Sequence, residues 1–158
     1  MKGQRLPAKD HVVRYVPFSR LRRDENDNVL GVLGLAFKLR DQEPYLSATW
    51  LEYFPGGRAE QVKAAVWAIR ASELRPGGKS GFAIGNVGAI LRVCADRKHK
   101  IRIVHEPEDD NKAHVAVRRM PRDDADLLEI LAAETWAELV LNRDIEPGQQ
   151  AATDKPAT

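Results

Sequence analysis

The sequence carries one cysteine, Cys94, in 158 residues, so neither an internal disulfide nor a cysteine-rich zinc site can hold the fold together. A reducing cytoplasm is the expected compartment. No apolar run comes near the ~20 residues of a membrane span, and the opening stretch MKGQRLPAKDHVV has no apolar segment of signal-peptide length. Neither a membrane partner nor an export signal is expected. Aromatic residues are only 6% of the chain and do not interleave with its basic clusters, which argues against a stacking platform for single-stranded nucleic acid. Internal repeats of roughly 20 to 50 residues are lacking too, so a solenoid is excluded.

What is present suits an ordinary globular domain, with 43% hydrophobic and 30% charged residues. A chain of this length can bury roughly two thirds of its unfolded surface and needs no staple. The net charge of +2 conceals an asymmetry: residues 121–158 carry 3 Lys/Arg against 9 Asp/Glu, and the rest carry 22 against 14. Two basic clusters stand out, Arg20, Arg22 and Arg23, and Arg97, Lys98, Lys100 and Arg102. Nucleic acid is therefore a lower-ranked partner, behind solvated charged faces, because no zinc-finger or RNP signature accompanies the clusters.

Periodicity gives the elements. His11 to Val16 alternates and is β-branched, a strand that Pro17 interrupts before a polar turn over Arg22 to Asn28. Val29 to Leu39 and Tyr45 to Phe54 read as extended. After Pro55-Gly56-Gly57, Val62, Ala65, Val66 and Ile69 mark one face of a helix that ends at Arg75-Pro76-Gly77-Gly78. A strand around Phe82 to Ile84, a helix from Val87 to about Arg97 with Asn86 as N-cap, and a strand from Lys100 to His105 form a β-α-β unit. His114 to Arg118 reads as another strand, and the longest helix is expected from Asp123 or Asp124 to Leu141. The class is α+β: one domain over residues 6–142, about three helices around a mixed sheet, then a flexible tail over 143–158, where apolar residues are few.

Three constellations could carry chemistry. Gly77-Gly78-Lys79-Ser80 resembles the end of a phosphate-binding loop, but Glu73 stands where that loop needs glycine, and a strand rather than a helix follows. Gly85-Asn86-Val87-Gly88 lies between strand and helix, where a tight turn and close packing already account for two glycines. The stretch from His105 to His114 is richer, with two of the four histidines, four carboxylates and Asn111 beyond a strand end. His105, His114 and Asp110 are the candidate catalytic residues, an imidazole as general base oriented by the carboxylate. Arg14, Ser47, Glu106 and Asn111 are the candidate ligand-binding residues. No metal is expected, since the spacing is not that of a zinc helix. Asp109 to Asn111 should turn the chain back, pair the flanking strands, place His105 beside His114 and hydrogen-bond His114 to the loop.

The motif His-Glu-Pro-x-Asp-Asp-Asn-x-Ala-His at His105 to His114, with Arg14-Tyr15-Val16-Pro17, Leu46-Ser47 and Trp50-Leu51-Glu52-Tyr53, resembles a group of small bacterial proteins of unknown function over residues 6 to about 140. The resemblance implies a bacterial intracellular domain and attaches no activity or cofactor. A second pattern, Arg14, Ser47-Ala48-Thr49 and Glu106-Pro107-Glu108, resembles in order the arginine, serine and glutamate steps of one class of ADP-ribosyltransferases. In that class the glutamate pair leads into a strand, whereas here it follows one. The functional expectation is a catalytic domain, or one that binds an unknown small ligand, with its site at the His105–His114 loop and Arg14. The alternative is a protein-interaction module, with a protein partner held through the charge asymmetry or Trp50 and Tyr53.

Overall fold

A computed structural model describes residues 3–72 and 74–148. The chain forms β1 (Gln4–Arg5), β2 (His11–Val16), β3 (Leu21–Arg23), β4 (Val29–Val32), β5 (Tyr45–Trp50), α1 (Arg58–Ala71), β6 (Gly81–Asn86), α2 (Val87–Asp96), β7 (Arg102–His105), β8 (His114–Arg118), α3 (Ala125–Ile130) and β9 (Glu138–Leu141). Seven strands make one sheet in the order β1-β7-β8-β5-β2-β6-β9, and β3 with β4 makes a separate ribbon. The α+β class stands. Neighbouring strands are antiparallel throughout rather than mixed. The β-α-β unit of β6, α2 and β7 explains the difference, because β2, β5 and β8 lie between its two parallel strands.

Period-two alternation sorts the strands onto two cores. Val13, Phe82 and Ile84 pack with Ala65, Val66 and Ile69 of α1 on one face. Val12, Val16, Ala48 and Ala83 turn to the other, against Ile90 of α2 and Leu127 and Leu131. Covered on both sides, β6 is apolar almost end to end, as the Gly-Phe-Ala-Ile run requires.

The C-terminal helix expected to reach Leu141 stops much earlier. After α3 the chain widens into a π turn over Leu131–Thr135, where the Trp136 N–H and the Thr135 hydroxyl both donate to the Leu131 carbonyl. Trp136 leaves the helical region, and Glu138–Leu141 pairs with the edge of β6. Val29 to Leu39 is likewise only partly extended, since Gly34–Phe37 forms a 3₁₀ turn. Of the stretch expected as a tail, the described part lies on α1: Arg70 donates to the carbonyls of Ile145 and Glu146, and the Trp67 indole donates to Glu146. The remainder lies outside the described residues.

Asp124 caps α3 by accepting from the Leu127 N–H, and it also accepts two bonds from Arg97. His99 Nε2 lies 3.0 Å from the same carboxylate. Arg97, with the Leu127 amide and His99, holds the Asp124 carboxyl well below the usual carboxylate range. A depressed folded pKa gives stability that is present at neutral pH and lost as the pH falls from about 4 through the folded value. Urea midpoints of the native protein are therefore expected to fall as the pH is lowered from about 5 to about 2. In Asp124→Asn the fall should be shallower, and an identical pH profile would remove Asp124 as its source.

Candidate functional site

The β5–β8 ladder sets Tyr45 opposite Arg118, Ser47 opposite Ala116 and Thr49 opposite His114. Alternation then brings Tyr45, Ser47, Thr49, His114 and Arg118 to one face. On its other side β5 pairs with β2 only at Val12↔Trp50 and Val13↔Thr49. Beyond those pairs the two strands part, and the Ser47 carbonyl has no ladder partner from β2. Arg14 supplies one: Nη1 donates to the Ser47 carbonyl at 2.7 Å and Nε to the Ala36 carbonyl at 2.7 Å. Burial lowers the Arg14 pKa to about 10, with Glu43 acting in the opposite direction. Arg14 makes no ion pair with a carboxylate among the described residues.

A cleft of about 290 Å³ opens where the strands part, and Arg14, Ser47, Thr49, Asp110, Asn111 and His114 are among its walls, with Glu108 beside them. A separate depression that shares Arg14 and Pro17 with it is bordered by Arg20, Lys38, Arg40 and Asp41. Another, sharing Ser72, Glu108 and Asp110 with the cleft, also has Arg75 and Asp109 on its border. Basic side chains predominate around the first depression and carboxylates around the second.

His114 is only 4% exposed. Its Nδ1 lies 2.9 Å from the Glu106 carbonyl and its Nε2 lies 3.1 Å from Ser47 Oγ. A carbonyl can only accept, so in the neutral ring Nδ1 carries the hydrogen, and the Nε2 lone pair faces the serine hydroxyl. The Tyr45 ring meets the imidazole edge-on at 5.7 Å. Burial, with Glu108 and Glu106 close by, raises the Tyr45 phenol. Glu108 Oε1 is 3.7 Å from Nε2. The expected hydrogen bond from His114 to the loop is thus present.

The other expected residues divide. Asn111 turns the loop, its Oδ1 accepting from the Ala113 N–H, while its Nδ2 donates to Thr49 Oγ1. Asp110 stands at the exposed rim. The Glu106 carboxylate is taken by Arg118, which donates through both Nε and Nη2. That pair raises the Arg118 pKa. His105 does not join His114: it pairs across from Val115, one residue out of step, and so lies on the opposite face. There it packs edge-on against Trp50 at 5.2 Å, with Tyr53 at 5.6 Å and Nε2 at 2.8 Å from the Lys112 carbonyl. Trp50 is itself held by Asp10, and Tyr53 is 44% exposed. Glu108 is one of the four carboxylates of the His105–His114 stretch, and Thr49 stands two residues from Ser47 on the same face, whereas nothing in the sequence pattern marks Arg40 or Tyr45 as cleft residues.

Among the described residues no three His, Cys, Asp or Glu side chains converge to hold a metal ion, and no helix is long and apolar enough to cross a membrane. Comparison with protein-family models, with curated proteins and with solved structures finds no match.

Proposed function

We propose that this is a small-molecule domain, catalytic or ligand-binding, whose site is the cleft between β2 and β5. The observation that carries this reading is the buried His114, fixed by one nitrogen and presenting the other to Ser47 on the cleft wall. With Arg14 and Arg40 as well as Glu108 among its walls, the cleft suits a ligand that carries an anionic group together with a cationic or hydroxyl-bearing one. His114 is the residue that moves protons. We take the protein as a bacterial cytoplasmic one, in keeping with a lone buried Cys94 whose thiol burial pushes up to about 11.

A second reading has one observation in its favour. Arg14, Ser47 with Thr49, and Glu108 border one cleft in the chain order of ADP-ribosyltransferases. NAD would then be the ligand. A thermal-shift screen of zwitterionic amino acids and dipeptides, nucleotides and NAD separates the two. A ligand at 100-fold its dissociation constant is expected to add ~2.7 kcal/mol of stability. The gain should vanish in Arg14→Lys, whose ammonium lacks the guanidinium fork. If no probe raises the melting temperature, the cleft is not a small-molecule site.

A further inference from the structure

We propose that Ser47 is a nucleophile activated by His114 and that the cleft performs acyl transfer from a small ester, an inference that rests on the cleft being the functional site. Three features of the chain support it. First, the proton path is set: the Glu106 carbonyl holds the hydrogen on His114 Nδ1, which leaves Nε2 as the acceptor 3.1 Å from Ser47 Oγ. Second, the order from solvent inward is correct for catalysis. Ser47 is half-buried on the cleft wall, and His114 is buried behind it with Tyr45 against its ring. A base so packed stays in one orientation. Third, Arg14, rooted on the opposite face of the sheet, donates through the gap between β2 and β5 to the Ser47 main-chain carbonyl, which fixes the backbone that carries the nucleophile. Glu108 Oε1 lies 3.7 Å from the same Nε2.

The step balances without any bound cofactor. Ser47 Oγ bonds to the acyl carbon as its proton passes to His114 Nε2, and the carbonyl π electrons move onto oxygen. Collapse of that oxyanion breaks the carbon–oxygen bond to the leaving alcohol, which takes the proton from Nε2. Water then attacks the acyl-serine, giving a proton to Nε2. The carbon–Oγ bond breaks, the acid departs, and the proton returns to Oγ.

The test uses the full chain with 4-nitrophenyl acetate, reading 4-nitrophenol release and the site of acetylation by mass spectrometry. Acetyl transfer to Ser47 is expected, absent in Ser47→Ala and slowed about 100-fold or more in His114→Gln. Release that persists unchanged in Ser47→Ala, or label found on lysines alone, would overturn the proposal. Should His114→Gln fail to fold, the pH profile of Ser47 acetylation in the native protein decides. A rate that levels off once one imidazole is deprotonated supports the proposal, and one that climbs with hydroxide throughout overturns it. The cleft reading is judged separately. Ligand stabilisation without Ser47 acetylation leaves that reading standing and removes only the nucleophile.

Discussion

Trp136→Ala is expected to remove about 3–5 kcal/mol of folding free energy, a large part of the ~5–15 kcal/mol that a domain has. The indole is 2% exposed and stacks on Phe37, with ring centroids 5.1 Å apart and planes 27° from parallel. It also rests on the backbone of β6: a Cβ added at Gly85 would come within 3.0 Å of the indole and 3.1 Å of the Thr135 carbonyl. Truncation therefore opens a void between the sheet and the π turn that the short connection to β9 cannot close. For a chain of this size the melting temperature should fall by roughly 6–20 °C, at ~2–4 °C per kcal/mol. Urea and thermal unfolding measure this directly. A loss below ~1 kcal/mol would show that the layers collapse onto the void.

Asn111→Ala should cost about 2–4 kcal/mol, although the residue sits in a loop. Asn111 is 8% exposed, and its side chain donates to the Thr49 hydroxyl and accepts from the Ala113 amide. Alanine leaves both partners without that bond in a buried setting, at ~1–3 kcal/mol each. It also loosens the loop whose Glu106 carbonyl orients His114. Amide exchange at Ala113 should quicken by more than exchange in β6, since the damage begins in the loop. Unchanged exchange at Ala113 together with native stability would relegate Asn111 to the surface.

These two residues also mark how far the sequence could be read. Alternation and Pro17 define β2 to the residue, and the Asn86 side chain caps α2 by accepting from Ala89, because these signals act over a few neighbouring positions. The end of the C-terminal helix is different. Leu128, Leu131, Ala132, Thr135 and Leu139 keep a helical period, and only the edge of β6, distant in the chain, draws Glu138–Leu141 into the sheet. At the site, the loop bond of His114 was legible from turn chemistry. The separation of His105 was not, because it depends on a one-residue register that sets the face on which each imidazole emerges. Asn111, expected to meet a ligand, lines the cleft and also braces Thr49. The parting of β2 from β5, which makes the cleft, arises from the assembled sheet.

The strand order has a consequence in time. β2, made early, lies between β5 and β6, and Gln4 at the beginning of the chain pairs with His105. During synthesis the first strand must wait unpaired until β7 has left the ribosome, and β6 keeps an open edge until β9 follows it. Closing such long loops costs entropy before any ladder bond forms, which sets a folding time on the order of milliseconds to seconds. In that interval the apolar run of β6 is a template on which a neighbouring nascent chain could add a strand. Until β9 docks, that edge exposes the partly folded chain to aggregation.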